Sequence, residues 1–226
     1  MSQLTRVARR AGWVLGALAA LTLAGPPGGT AQSIRAMEEA ADRYRSVQAL
    51  CADFEQVLEV RLLGRTVESS GRLCQQRPNY FAMRFEDPDG DMVISDGSFI
   101  WVYYPSLYDD QVSRFPASQS PGRYDFFQEF LDDPSSKYDA VDGGFEDVAG
   151  KSCQVVELTP KGQATYRKAR LWLDPETDLF CQLEVHHENG SLRTVTLRGL
   201  RLNPQIASGE FSFVVPEGAR VVDPPS

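Results

Sequence analysis

Histidine and the usual catalytic motifs are scarce in this chain. Its only two histidines, His186 and His187, are adjacent in a predicted strand, so their side chains point to opposite faces and do not form one metal site or catalytic dyad. The sequence has no Gly-x-Ser-x-Gly, no phosphate-binding glycine loop and no His-Glu-x-x-His. Cysteine spacings typical of metal sites are also absent. We therefore expect no catalytic residue, no metal and no cofactor.

Positively charged residues are outnumbered by negatively charged ones. The chain has 23 lysines and arginines against 31 aspartates and glutamates, which gives a formal net charge of −8, and it contains no basic run. A chain this acidic is a poor candidate for binding nucleic acid or an anionic membrane surface. We expect a soluble monomer that binds no nucleic acid.

No apolar run is long enough to form an ordinary membrane span. The longest, residues 12–24, has 13 residues, whereas a spanning helix needs about 20. Arginines precede this run, and the small residues Gly-Thr-Ala follow it at 29–31, which is the pattern of a cleaved secretory signal. General secretion is favoured over the twin-arginine route, and no cysteine follows closely enough for a lipoprotein signal.

Removal of the predicted signal peptide, residues 1–31, leaves 195 residues, a suitable length for one domain with a full core at 32–226. The segment contains three arginines and no acid, so the formal net charge becomes −11. We expect an exported, periplasmic protein.

The four cysteines of an exported chain predict two disulfides, for which three pairings are possible. Residues 49–62 and 66–77 are predicted to form a hairpin that brings Cys51 and Cys74 within one bulge of facing each other. We favour Cys51–Cys74, and Cys153–Cys181 follows only by elimination. Free or differently paired thiols stay open.

Hydrophobic periodicity predicts a fold that is α+β but mainly β. Helical spacing predicts a helix over 33–48 and a short amphipathic helix over 124–132. Period-two alternation with Asp-Gly and Asn-Gly turns predicts strands at 49–62, 66–77, 79–86, 91–96, 99–104, 111–115, 152–159, 168–173, 179–187, 191–200 and 210–215. This pattern indicates one strongly curved antiparallel sheet, an unclosed β-barrel of about 10–11 strands, with helices as a lid on its concave side over a hydrophobic cavity.

Large apolar side chains are predicted to share the concave face of this sheet. Together with the phenylalanine-rich helix they are candidate lipid-binding residues: Phe54, Leu73, Phe81, Met83, Trp101, Phe126, Phe127, Phe130 and Leu131. These side chains could form an ordinary filled core. However, so short a helix covers a large concave sheet only partly, which favours a cavity for an aliphatic ligand.

Arg77 lies, by alternation, on the same face as Leu73, immediately before Pro78. A guanidinium over an apolar surface needs partners, because burying an unpaired charge is costly. One interpretation is that its side chain reaches the rim of the sheet or forms an ion pair at the surface. The other is that it donates hydrogen bonds to backbone carbonyls of the covering helices and acts as a lid latch.

Several short motifs, in this order and spacing, resemble the LolA family of periplasmic carriers that move lipoproteins from the inner to the outer membrane. The resemblance covers about residues 34–223. It rests on Leu-Cys-Ala-Asp-Phe-Glu-Gln at 50–56, Gly-x-Leu at 71–73 leading to Arg-Pro-Asn-Tyr-Phe at 77–81, Ser-Asp-Gly at 95–97, Trp-Val-Tyr-Tyr-Pro at 101–105, Leu-Thr-Pro-Lys at 158–161, Asn-Pro at 203–204, Phe-Ser-Phe at 211–213 and Pro-Glu-Gly at 216–218.

The resemblance implies an unclosed barrel whose cavity binds the acyl chains of lipoproteins, with no covalent chemistry. It also implies that Arg77 holds the lid, that an inner-membrane lipoprotein-releasing ABC complex delivers cargo, and that an outer-membrane lipoprotein receptor accepts it. The chain departs from the family pattern in its four cysteines, and Cys74 stands where a tryptophan is expected.

Other functions are compatible with the same predicted fold. They include a periplasmic carrier of another lipid or glycolipid, a lipoprotein-sensing regulatory domain, an envelope-binding module with a filled core and, least supported by the residues, a hydrolase.

Overall fold

The computed structural model describes residues 29–119 and 125–223. The predicted signal peptide, residues 1–31, falls outside them except for its last three residues. Tyr124 of the predicted second helix also lies outside them.

Within the described residues the chain forms three α-helices, α1 Gly29–Ser46, α2 Phe126–Leu131 and α3 Pro134–Lys137, and two 3₁₀ helices, Arg61–Leu63 and Ala117–Gln119. The strands are β1 Ala49–Val60, β2 Arg65–Gln76, β3 Tyr80–Asp87, β4 Met92–Asp96, β5 Phe99–Tyr103, β6 Gln111–Pro116, β7 Tyr138–Val148, β8 Lys151–Pro160, β9 Tyr166–Leu173, β10 Phe180–His187, β11 Leu192–Leu202 and β12 Arg220–Val222.

All twelve strands belong to one sheet, in the order β12-β6-β5-β4-β3-β2-β1-β11-β10-β9-β8-β7. Neighbouring strands are antiparallel except β12 and β6, which are parallel. The two edge strands, β7 and β12, do not pair, so the curved sheet stays open. This architecture confirms the predicted mainly-β, unclosed sheet.

The strand predictions fail at two places. Strand β7 was missed because its alternation is interrupted by a bulge between Asp142 and Phe145. The predicted last strand at 210–215 is wrong: this segment is irregular, and β12 follows it. This segment forms no strand ladder. The guanidinium of Arg84 instead donates hydrogen bonds to the backbone carbonyl oxygens of Glu210 and Ser212, at 2.8 and 3.4 Å.

One hydrophobic core joins the concave face of the sheet to the helices. Helix α1 contributes residues at helical spacing, of which Met37, Ala40 and Ala41 are at most 1 % exposed. Side chains from β1 to β5 and from β7 to β11 pack in the same cluster. A smaller cluster lies apart from it and contains Val148, Cys153, Val155 and Trp172.

The structure joins Cys51 to Cys74, which face each other directly in the β1–β2 ladder. The sulfurs of Cys153 and Cys181 lie 2.9 Å apart but are not bonded. The disulfide expected there by elimination is therefore not formed in this structure, and it stays a prediction for the exported protein.

Gly71 permits a close contact in the concave layer. It lies in β2 between Phe54 of β1 and Phe85 of β3, whose rings meet across it edge to face with centroids 5.1 Å apart. A β-carbon at Gly71 would lie 2.1 Å from the carbonyl oxygen of Arg84. Since that atom is backbone, the strands would have to separate to admit any side chain.

We predict that Gly71→Ala lowers the free energy of unfolding by about 2–3 kcal/mol, because relieving the overlap disturbs the strand pairing and the aromatic contact. Gly162→Ala is the matched control, since a β-carbon there meets no atom within 4 Å. Chemical denaturation of both variants measures the difference. Equal stabilities would contradict the proposed role of Gly71.

Candidate functional site: the concave face and its helical lid

Helix α2 packs an apolar surface against the concave side of the sheet. Its apolar side chains are all buried, and Phe127, Phe130 and Leu131 are at most 1 % exposed. Asp125 begins the helix as its N-cap and accepts a hydrogen bond from the backbone N–H of Gln128 at 3.0 Å. We call α1, α2 and α3 the lid.

Aromatic contacts fix α2 to both the sheet and α1. The ring of Phe127 stacks on Phe180 of β10, with centroids 4.2 Å apart, and on Tyr44 of α1 at 5.6 Å. On the next turn, Phe130 packs beside Tyr138 and Tyr166, at 6.0 and 5.9 Å. The lid therefore packs its own aromatic side chains against the concave layer.

Of the predicted lipid-binding residues on strands, Phe54, Leu73, Phe81 and Met83 lie in the core cluster that contacts the lid. Each is at most 4 % exposed. The structure brings them together with the four predicted residues of α2. Their capacity to bind lipid is addressed below as a proposal.

The prediction that Trp101 lies on the concave face is wrong. In the β3-β4-β5 ladder, Met83 is opposite Val93 and Val93 is opposite Val102, so Val102 points inward and its neighbour Trp101 points outward. The outward face is covered by the irregular segment before β12, where the ring of Phe213 lies 5.4 Å from that of Trp101. In this register the aliphatic side chains of β5 face the core, and its aromatic side chains face the outer side of the sheet.

Arg77 contacts the C-terminal end of α1. Its guanidinium donates to the carbonyl oxygens of Val47 and Tyr44, both at 2.9 Å, and lies 4.5 Å from the centroid of the Tyr44 ring. Carbonyl groups at a helix C-terminus have no partner within the helix and carry partial negative charge, so an arginine there is favourable. The contact links the loop after β2 to the lid.

A buried polar network lies beside Arg77. The side-chain amide of Gln75 donates to the hydroxyl of Tyr44 and to the carboxylate of Asp125, which connects β2 with α1 and α2. Burial raises the pKa of Asp125 to about 6, although hydrogen bonds from the α2 backbone and the charge of Arg77 act in the opposite direction. Burial also raises the pKa of Tyr44.

A second polar group fastens α2 on the other side. The carboxylate of Glu129 accepts hydrogen bonds from the hydroxyls of Tyr166 and Tyr138, at 2.6 and 3.0 Å. The two hydroxyl oxygens are themselves 2.7 Å apart. Burial raises the pKa of both tyrosines, so they stay neutral donors.

A sequence profile described as "Outer membrane lipoprotein carrier protein LolA" matches residues 45–214. The chain belongs to the LolA family. The matched region begins at the end of α1 and includes all of the concave face from β1 to β11, together with α2 and α3.

Curated relatives agree with this assignment. The outer-membrane lipoprotein carrier protein of Alcanivorax borkumensis is 30% identical over 200 residues, which cover 83% of this chain and 87% of the relative. That of Methylobacillus flagellatus is 26% identical over 187 residues, covering 79% and 84%. An uncharacterized conserved protein from Thermus thermophilus shares the fold, with a TM-score of 0.55, 11% identity and coverage of 85% of this chain and 99% of that one.

Neither metal-binding groups nor membrane-spanning helices were found in the described part of the chain. No cluster of three or more His, Cys, Asp or Glu side chains suited to a metal occurs there. No helix in residues 29–119 and 125–223 combines the length and apolar character needed to cross a membrane.

Apart from Arg77, the polar residues that hold the lid of this LolA-family protein were not predicted from the sequence. Asp125 had a local signal, since an aspartate directly before an amphipathic helix is a preferred N-cap. No local signal joins Glu129 to Tyr138 and Tyr166, because the contact is made between α2 and two strands that meet only in the folded sheet.

We predict that the closed lid becomes less stable as the pH rises from about 4 to about 6. With its pKa raised, Asp125 holds a proton in the folded state at pH values where the unfolded chain has already released it, so stability falls across this interval and is level above it. Asp125→Asn retains an N-cap and cannot ionise. From pH 4 to pH 7 the wild type should lose about 1–2 kcal/mol of unfolding free energy relative to this variant.

Denaturant titrations at several pH values provide the measurement. A difference between wild type and Asp125→Asn that stays constant between pH 4 and pH 7, or that grows in favour of wild type, would show that burial does not raise the Asp125 pKa.

Proposed function

We propose that this protein is a periplasmic carrier that binds the acyl chains of lipoproteins under its lid and transfers them from the inner to the outer membrane. The observation that carries the proposal is a continuous apolar concave layer covered by the lid, in which α2 has only six residues, in a member of a lipoprotein carrier family. The predicted signal peptide supports export. Binding and release of cargo need no covalent chemistry.

Lid opening supplies the space for cargo. Acyl chains take the place of Phe126, Phe127, Phe130 and Leu131 on the concave layer. Removing four such side chains from an apolar environment costs roughly 6–12 kcal/mol, while burying about twelve methylenes returns roughly 10 kcal/mol. Since the two quantities are similar, cargo is held without being trapped, which a carrier requires.

Polar contacts adjust this balance in favour of the closed, empty state. Arg77 acts as the latch through its bonds to Tyr44 of α1 and to Val47, which follows the helix, and the groups around Asp125 and Glu129 hold α2 from two sides. All of these bonds break or rearrange when the lid moves away from the sheet. Their loss on loading offsets part of the gain from acyl-chain burial and so favours hand-over.

Partners follow from the family resemblance. We propose that an inner-membrane lipoprotein-releasing ABC complex supplies the cargo and that an outer-membrane lipoprotein receptor accepts it. The motifs around Arg77 and the closing 203–218 segment support this assignment.

The carrier role predicts that the purified protein releases newly made, acylated lipoproteins from spheroplasts as a soluble complex. A cargo variant that lacks the acylated cysteine is the control and should stay unreleased by the carrier. Release that occurs equally with both cargoes, or no release by folded protein, would contradict the proposal. In the second case, mass spectrometry of co-purifying molecules separates another lipid carrier from a sensor.

We predict that Arg77→Leu retains cargo and slows its transfer to the acceptor by roughly tenfold to a hundredfold, because two charge-assisted hydrogen bonds no longer favour the closed state. Arg198→Leu is the matched control, since Arg198 forms an exposed ion pair with Glu55 away from the lid. Transfer from preloaded carrier to acceptor measures the rate. Hand-over by Arg77→Leu at the wild-type rate would exclude the latch.

A further inference from the structure

Two adjacent leucines are exposed at the tip of the β1–β2 hairpin. Leu62 is 81 % exposed and Leu63 is 68 % exposed, both in the 3₁₀ turn Arg61–Leu63. Gly64 closes the turn in the left-handed conformation, and its N–H donates to the carbonyl of Arg61 at 3.2 Å. A β-carbon built on Gly64 meets no atom within 4 Å, so the tip stands in open space.

The hairpin extends well beyond β3 on one side, while on the other side β11 accompanies it almost to the turn. Pairing of β2 with β3 ends at Ser70, and pairing of β1 with β11 ends at Glu59. Residues 65–69 of β2 thus have no partner in β3, a projection of about 16 Å at the usual rise of an extended strand. All residues from 61 to 68 are exposed.

Basic residues flank the leucines. Arg61 and Arg65 lie on the two sides of the turn, while the nearest acids on the hairpin, Glu59 and Glu68, lie farther back along the strands. The net negative charge of the whole chain argues against an anionic membrane, but charges are screened over about 8 Å at physiological ionic strength. Arg61 and Arg65 directly flank the leucines, whereas Glu59 pairs with Thr66 one step behind them in the ladder, so the charge at the point of the hairpin is positive.

The shape of the tip suits a membrane better than a protein partner. The two leucines expose on the order of 300 Å², whereas a stable protein interface buries roughly 800 Å² on each partner. A convex point with apolar residues at its end and arginines behind them matches the interface of an anionic bilayer, where leucines enter the acyl boundary and arginines bind phosphates.

We propose that this tip, residues 61–65, docks reversibly on an anionic phospholipid membrane. Leu62 and Leu63 insert shallowly among the headgroups, and Arg61 and Arg65 bind lipid phosphates. The proposal goes beyond the carrier function and does not depend on it.

Docking by the tip orients the barrel. Leu192 pairs with both Glu59 and His186, and His187 pairs with Tyr166, so Tyr166 lies at the same end of the sheet as the hairpin tip. The end of the lid fastened by Glu129 would therefore face the membrane, and acyl chains entering or leaving there would cross little water.

The test is binding of the cargo-free protein to vesicles, measured by co-sedimentation over a range of salt concentrations. The vesicles contain phosphatidylcholine with phosphatidylglycerol, or phosphatidylcholine alone. We expect salt-sensitive binding to the anionic vesicles, a reduction of roughly tenfold or more for the double variant Leu62→Glu, Leu63→Glu, and a flatter salt dependence for Arg61→Gln, Arg65→Gln. All of these positions are exposed, so melting temperatures should be unchanged.

Phe145→Glu is the matched control, because Phe145 is also 68 % exposed but lies on edge strand β7. It should bind vesicles as wild type does. The proposal is overturned if wild type does not bind anionic vesicles, if the leucine variant binds equally well, or if Phe145→Glu is impaired to the same degree. Because no cargo is present, these outcomes leave the carrier proposal unaffected.

Discussion

Covering the concave face of a single wide sheet is the constraint on which the rest of this structure depends. An open twelve-stranded sheet has an apolar inner layer that must be removed from water, yet only three α-helices are described, and two of them have six residues or fewer. Helix α1 covers part of this layer, and α2 adds buried aromatic and aliphatic side chains on a helix of six residues. So short a helix has little stability of its own, and it depends on packing and polar contacts to stay in place.

This dependence explains where the polar residues lie. Arg77 binds the end of α1, Gln75 connects α1 with the N-cap of α2, and Glu129 binds the tyrosines at the opposite end of α2. Each contact joins a lid helix to the sheet or to another lid helix. The apolar contacts supply most of the free energy of closure, and the polar contacts fix one closed position, which can be lost as a unit when acyl chains occupy the layer.

Much of the fold could be predicted from the sequence because alternation is a local signal. It identified the hairpin that pairs Cys51 with Cys74 and the strands that place Leu73 and Met83 in the inner layer. It failed at Trp101, because a one-residue change in register after a turn reverses every side chain of a short strand. Strand β7 was hidden by a bulge. The Glu129 site could not be predicted, since its residues meet only through long-range strand pairing.

The central claim is that acyl chains take the place of the α2 side chains on the concave layer. Hydrogen–deuterium exchange of the backbone amides of α2, in the cargo-free protein and in its complex with an acylated lipoprotein, tests this most directly. The account predicts that these amides exchange at least about tenfold faster in the complex while those of β1 and β2 stay protected. Equal or greater protection of α2 in the loaded protein would contradict it, since the lid would then remain closed with cargo bound.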